Sequence, residues 1–164
     1  MTATPPLQAK VLTVSESVAA GRVEDRGGQA VVARLHAAGY AVVEHAVSPD
    51  GVEAVARALG ELCDGFCGLV VTTGGTGFGP KDLTPEGTRA VIEREAPGLA
   101  EAMRLASPLG RLSRAMAGTK GQSLILNTPG SPTGAVETLE AVLDVVPHAI
   151  ALLTGANPHP HAGS

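Results

Sequence analysis

Apolar positions along the chain fall into short runs that alternate with stretches of helical spacing. Lys10-Val11-Leu12-Thr13-Val14 reads as a short buried strand. A loop over Ser15–Gly28 follows, then a helix over Gln29–Ala38 closed by Gly39 and a strand over Tyr40–Ala46. Val52, Val55, Ala56, Leu59 and Leu62 repeat at i, i+3, i+4 and i+7, which predicts an amphipathic helix over Gly51–Leu62 with Asp50 as its N-cap. Leu69-Val70-Val71 supplies another buried strand. Thr84, Pro85 and Glu86 then form a helix start: a hydroxyl cap, proline at the first position and an acid facing the dipole, with the helix running to about Glu95. Beyond the Pro97-Gly98 turn come Leu99–Leu105, a Pro/Gly-broken segment and a strand at Leu124–Leu126. A final amphipathic helix covers Thr133–Leu153, interrupted at Pro147.

Strands alternating with helices predict an α/β fold, a mostly parallel sheet covered by helices on both faces. Ligands of such sheets bind where the strands end at their carboxyl edge. The expected organisation is a flexible arm over residues 1–9, one domain over residues 10–154 and a loose Pro-rich tail over residues 155–164.

Composition narrows the function classes. The 164 residues are 44% hydrophobic and 17% charged, the signature of a folding chain rather than a disordered one. Net charge is −4, and the aromatics are one Tyr and two Phe, so neither a basic footprint nor a stacking platform for nucleic acid is present. No run approaches the ~18 apolar residues that span a bilayer, and the first apolar strand is too short for a secretory leader. The expectation is a cytoplasmic protein without membrane contact. Cys63 and Cys67 are too few for a structural zinc site and read as buried free thiols, and the five histidines show no metal-ligand spacing.

Two loops carry candidate chemistry. Directly after Val70-Val71 comes Thr72-Thr73-Gly74-Gly75-Thr76-Gly77-Phe78-Gly79-Pro80-Lys81-Asp82, whose glycines allow backbone N–H groups to converge on an anion. The spacing is neither that of a P-loop nor that of a dinucleotide fingerprint, and the run reads equally well as a sharp turn. A second loop, Asn127-Thr128-Pro129-Gly130-Ser131-Pro132, follows the Leu124–Leu126 strand, and two anion-ready loops on one sheet edge could hold a polyphosphate. Asp82 in the first loop and Asp50 at the same edge suit Mg²⁺ beside phosphates, although Asp50 also reads as a cap and Asp82 as a turn residue. Lys81, Ser113 and Arg114 suit phosphate oxygens or, equally, a solvated surface. Asp25 suits a helix cap, Gly28 a close backbone approach, and Ser15 and Glu16 leave the first strand towards the same edge.

The ordered set Thr13–Ser17 (T-V-S-E-S), Glu24–Gly28 (E-D-R-G-G), Pro49-Asp50, Thr72–Gly77 (T-T-G-G-T-G) followed by K-D-L-T-P-E, Glu95–Leu99 (E-A-P-G-L), Ser113–Gly118 and Pro129–Pro132 (P-G-S-P) resembles the molybdopterin adenylyltransferases of molybdenum cofactor biosynthesis. These are of the MogA/MoaB type and related to the gephyrin G domain; the match covers about Lys10 to Leu153. The resemblance implies a three-layer α/β/α fold and a homotrimer. It further implies Mg²⁺-dependent transfer of AMP from ATP to the terminal phosphate of molybdopterin with release of pyrophosphate, and a downstream molybdenum-insertion protein as a partner. It places the functional, metal-holding acids at Asp50 and Asp82. It places nucleotide and pterin contacts at Ser15, Thr73, Gly74, Gly75, Thr76, Gly77, Ser113, Arg114, Pro129, Gly130 and Ser131. Glu16 and Lys81 stand where Asp and Arg are commoner in that family, and Arg104–Ser113 is a few residues shorter than usual. The same fold could instead serve a non-catalytic paralogue that binds molybdopterin or a partner protein.

Overall fold

The computed structural model describes residues 3–156. In chain order the elements are β1 (Gln8–Val14), α1 (Glu16–Ala19), α2 (Arg26–Ala37), β2 (Ala41–Ser48), α3 (Val52–Cys63), β3 (Gly68–Thr73), α4 (Thr84–Arg89), β4 (Arg94–Glu95), α5 (Pro97–Arg104), a 3₁₀ turn (Pro108–Leu112), β5 (Ala117–Lys120), β6 (Ser123–Thr128), α6 (Pro132–Glu140) and α7 (Val146–Leu153). The strands form one sheet in the order β2-β1-β3-β6-β5-β4. The first four are mutually parallel, whereas β5 and β4 run antiparallel at the far edge.

Strand alternation sorts the core into two layers. Val11, Leu69, Val71, Leu124 and Leu126 face one way and pack with Val31 and Leu35 of α2, Met103 of α5, Leu139 of α6 and Ile150 of α7. Leu12, Val14, Val70 and Ile125 face the other way, onto Val55, Leu59 and Leu62 of α3. Helices therefore cover both faces, giving the expected three-layer α/β/α arrangement. The connection from β1 leads outward to β2 while β3 lies on the other side of β1, so the chain reverses direction between β1 and β3, where α/β sheets open a crevice.

Several boundaries depart from the sequence reading, each for a local reason. β1 opens at Gln8, with Ala9 fully buried and paired to Leu69, so two residues of the expected arm belong to the sheet. The Ser15–Gly28 loop contains α1, and α2 begins three residues earlier than predicted because Asp25 caps it, accepting the Gly28 N–H at 2.8 Å. Asp50 does not cap α3: Gly51 occupies that position at φ 125°, and the Asp50 carboxylate instead accepts the Glu16 N–H at 3.1 Å. Thr84 is the first residue of α4 rather than its cap, and its hydroxyl donates to the Gly74 carbonyl at 2.8 Å.

The helix predicted to reach Glu95 stops at Arg89, because Arg94 and Glu95 pair with Thr119 and Gly118 of β5. β5, with the sequence Ala-Gly-Thr-Lys, carries no apolar run and is recruited by its neighbours. Pro147 is the second residue of α7, in its first turn, rather than a break in a longer helix. Cys63 is buried and its thiol is pushed up by desolvation, whereas Cys67 is exposed, against expectation. Of the expected tail, residues 157–164, with His159 and His161, lie outside the described residues. No helix of the described residues is long and apolar enough to cross a membrane.

Candidate active site

The parallel strands deliver four loops to one edge of the sheet. In register, Thr13 of β1 lies beside Thr73 of β3, and Thr73 beside Thr128 of β6, so three buried hydroxyl residues mark where the strands end. Thr73 donates to the Pro129 carbonyl and Thr128 to the Thr72 carbonyl, both at 2.8 Å, tying the Gly-rich loop to the P-G-S-P loop. Beneath them the buried Asn127 amide donates to Thr72 and Thr88 at 3.0 Å each, while its oxygen accepts the Met116 N–H. Such a satisfied polar network fixes the strand exits to one arrangement.

Gly74 and Gly75 adopt φ of 104° and 70°, which side-chain-bearing residues rarely reach. A Cβ on Gly74 would lie 2.3 Å from the Val14 carbonyl oxygen, and one on Gly75 2.3 Å from the Thr84 hydroxyl. Both glycines are therefore required by the fold itself, whatever they bind. The loop they shape leaves the N–H groups of Gly75, Thr76 and Gly77 without an acceptor among the described residues. Unpaired backbone donors on residues that line a cleft suit anionic oxygen.

Two clefts open here. A polar one of about 360 Å³ is lined by Thr13, Ser15, Asp25, Asp50, Thr73 and Gly74. A second, of about 430 Å³, is walled by Met103, Leu109, Leu112 and Pro129, with Ser107, Ser113, Ser131 and Thr138 contributing hydroxyl residues and Thr76 and Gly77 completing the rim. The two clefts share Gly75, Asp82 and Gly130. The residues that the family resemblance assigns to metal, nucleotide and pterin line one or the other cleft around this common wall, with a single exception.

That exception is Arg114, which lines neither cleft. Its Nε donates to the Gly77 carbonyl at 2.8 Å, one terminal nitrogen reaches the Asp82 carbonyl, and the other forms an ion pair with Glu86. Its backbone N–H also donates to the Thr76 carbonyl. Arg114 is the clamp of the Gly-rich loop, and its guanidinium holds the Glu86 carboxyl below the usual carboxylate range. Ser131 likewise caps α6 by accepting the Gly134 N–H, leaving its hydroxyl proton free to donate.

Lys81 also stands outside both clefts. It pairs with Glu16 at 2.7 Å, and this hydrogen bond raises the lysine's pKa. The two positions that depart from the family pattern are therefore partners that join the β1 and β3 exits. The short Arg104–Ser113 stretch still walls the second cleft: Gly110 packs so closely on Arg104 that its Cβ would clash with the Arg104 carbonyl, and Arg104 reaches back to the Ala115 carbonyl at 2.9 Å.

Asp50 and Asp82 both line the polar cleft. One Asp50 oxygen accepts the Glu16 N–H, and one Asp82 oxygen accepts the Gly79 N–H at 2.8 Å, so each carboxylate retains an uncommitted oxygen. Among the described residues no group of three or more His, Cys, Asp or Glu side chains forms a metal cluster. Two carboxylates lining one cleft, each with an uncommitted hard oxygen, are a donor set that fits Mg²⁺.

Sequence reasoning missed His45. Its ring nitrogen lies 3.0 Å from both Asp25 and Thr13, a contact created by the β1–β2 pairing and invisible in local spacing.

Comparison with known proteins identifies relatives of the whole domain. Residues 10–148 match the family model described as "Probable molybdopterin binding domain". The molybdopterin adenylyltransferase of Helicobacter pylori J99 is 37% identical over 152 residues, covering 88% of this chain and 86% of that protein. The molybdopterin adenylyltransferase of Escherichia coli K12 is 37% identical over 168 residues, covering 91% and 86%. The crystal structure of the molybdopterin biosynthesis enzyme MoaB from Thermus thermophilus superposes with a TM-score of 0.85 at 43% identity, covering 91% of this chain and 97% of that one. With its fold, its two strand-exit loops and these similarities, the chain belongs to the molybdenum cofactor biosynthesis domain family.

Proposed function

We propose that the chain is a molybdopterin adenylyltransferase, a nucleotidyltransferase of molybdenum cofactor biosynthesis, working as one domain over residues 10–154. The reading rests above all on the two clefts meeting at Gly75, Asp82 and Gly130. A transfer between two substrates needs two adjoining subsites, and here one is polar and acidic while the other has apolar walls and hydroxyls. The polar cleft suits ATP: Asp50 and Asp82 would hold Mg²⁺, which would neutralise phosphate charge, and the unpaired Gly75 N–H stands at the wall shared with the second cleft, where those of Thr76 and Gly77 continue the row of donors for phosphate oxygens. The other suits a flat pterin, with Met103, Leu109 and Leu112 against its faces and Ser113 and Ser131 near its polar edge.

At the common wall the terminal phosphate oxygen of molybdopterin would attack the α-phosphorus of ATP in line. A new P–O bond forms there, the bond from the α-phosphorus to the bridging oxygen breaks, and pyrophosphate leaves with the electron pair. The nucleophile is already anionic at neutral pH, which accounts for a site without a His or Cys nucleophile–base pair. The contribution of this chain is positioning by the clamped loop and charge neutralisation along its N–H groups.

The assembly we propose is a homotrimer in the cytoplasm that passes its product to a molybdenum-insertion protein. Leu105, Leu109 and Phe78 are large, exposed apolar side chains that a subunit contact would cover. Light scattering should then give three times the 16.4 kDa chain mass; a concentration-independent monomer would refute the trimer. Incubation with ATP, Mg²⁺ and molybdopterin should yield adenylyl-molybdopterin and pyrophosphate. Binding of molybdopterin without either product would identify a non-catalytic paralogue instead.

A further inference from the structure

Beside the polar cleft, three groups converge on the Asp25 carboxylate. Asp25 Oδ1 accepts the Gly28 N–H at 2.8 Å, while Oδ2 accepts the Thr13 hydroxyl at 2.7 Å and lies 3.0 Å from His45 Nε2. The same nitrogen is 3.0 Å from the Thr13 oxygen. A carboxylate only accepts, and the threonine has one proton, which it gives to Asp25. His45 Nε2 must therefore carry a hydrogen and share it between Asp25 and Thr13. The knot packs directly on Gly28, where a Cβ would sit 2.3 Å from both Asp25 Oδ2 and Thr13 Oγ1 and 2.6 Å from His45 Nε2.

The knot reaches the site in two ways. Thr13 and Asp25 themselves line the polar cleft. Asp25 also caps α2, whose Gly27 meets the opposite loop, since a Cβ there would lie 2.7 Å from the Gly130 carbonyl and 3.2 Å from the Thr73 hydroxyl. Moving Asp25 thus moves the first turn of α2 against the wall that the two clefts share. Releasing Asp25 Oδ2 would add an unpaired anionic oxygen to a cleft that receives phosphates, a direct electrostatic penalty. His45 lies outside every motif that carries the family resemblance, and neither cleft includes it among its walls.

We infer that His45 is a positioning residue for the nucleotide: through Asp25 and Thr13 it holds the start of α2 against the Gly130 loop and keeps the Asp25 carboxylate oxygen paired where phosphates would bind. The inference rests on the reading that ATP occupies the polar cleft.

The test compares wild type with His45→Leu and His45→Asn, which remove the donor or stop it short, and with His45→Gln, whose terminal amide reaches the same acceptors. ATP affinity is measured by calorimetry with Mg²⁺ and no molybdopterin, followed by steady-state kinetics and thermal melting. The Leu and Asn variants should weaken ATP binding and raise its KM by about tenfold or more, the scale for losing one hydrogen bond to a charged group, with kcat and the molybdopterin KM within about threefold. His45→Gln should return ATP affinity to within about threefold of wild type. Unchanged ATP affinity in both Leu and Asn variants overturns the inference. So does an equal rise in both KM values, or a fall in melting temperature that Gln fails to reverse, each of which marks a plain structural strut. If Leu does not fold, the polar Asn variant at this partly exposed site decides. Failure of the wild type to bind ATP would instead refute the assignment of the polar cleft, and the inference with it.

Discussion

The polar cleft and its apolar neighbour share three residues and differ in almost everything else. The polar cleft is built from strand exits and glycine backbone, at positions where a Cβ on Gly27, Gly74 or Gly75 would collide with polar atoms 2.3–2.7 Å away. The apolar cleft is walled by a 3₁₀ turn and side chains, of which Leu109 and Leu112 are 74% and 54% exposed. One is held by the sheet and its polar network; the other hangs on a short surface segment. The difference suggests a division of labour: a preorganised half for the charged reacting groups, where misplacement is most costly, and an adaptable half for the apolar body of a second substrate.

The sharpest way to break this comparison is to remove charge from its rigid half. Asp82→Asn preserves the size and turn-forming capacity of the residue, and Asp50→Asn does the same at the neighbouring exit. Each should lower kcat by ~10²-fold or more, the scale of losing one transition-state charge contact. Melting should shift by less than the equivalent of about 1 kcal/mol, because neither change opens a cavity. A variant with native melting and near-native turnover would remove that aspartate from the chemistry.

Glycine and leucine substitutions sharpen the contrast at intermediate magnitude. Gly75→Ala should destabilise the fold by roughly 1–3 kcal/mol, because φ of 70° and the Thr84 contact oppose any side chain, so loss of activity there would not prove phosphate binding. Gly130→Ala is the cleaner probe: its methyl meets only Gly74 Cα, at 3.4 Å, and leaves stability within about 0.5 kcal/mol while protruding into the shared wall. It should impair both substrates. Leu112→Ala should raise the molybdopterin KM about fivefold, as expected for ~1 kcal/mol of lost apolar contact, with the ATP KM unchanged. Equal effects of Leu112→Ala on both substrates would erase the distinction between the halves.

The same division separates what the sequence discloses from what it hides. The parallel strands, α3 and both loops are legible because apolar runs and glycine clusters are local signals, and Asp50, Asp82, Gly75 and Gly130 gather where strand exits predict. β4 and β5 are not legible, since Arg-Glu and Ala-Gly-Thr-Lys become strands only by pairing with each other and with β6. Arg114 reads from its chemistry as a phosphate ligand, yet its carbonyl and carboxylate partners lie 28 to 37 positions away and claim it as a clamp. His45 needs the β1–β2 pairing to meet Asp25. Both sets of contacts are tertiary and cannot be read from residue type.

The smallest effect is expected at that clamp, and it tests whether the rigidity of the polar half derives from it. Arg114 bonds the Glu86 carboxyl and so lowers its pKa from the ordinary 4.5. A lowered folded-state pKa means that the carboxylate contributes stability fully above about pH 4.5, and that this contribution is lost as the pH falls through the lower folded value. Glu86→Gln should therefore be slightly less stable than wild type at neutral pH, by less than ~1 kcal/mol for a pair this exposed to solvent, and the gap should close on acidification below pH 4.5. Melting curves from pH 7 to pH 3 check the sign. Because Arg114 also holds the Gly77 and Asp82 carbonyls, loosening its ion pair should raise the ATP KM by about two- to threefold, on the scale of a weak exposed pair, before it touches the molybdopterin KM. A gap that widens in acid would refute the lowered pKa. A molybdopterin KM that rises first would show that the clamp serves the apolar cleft instead.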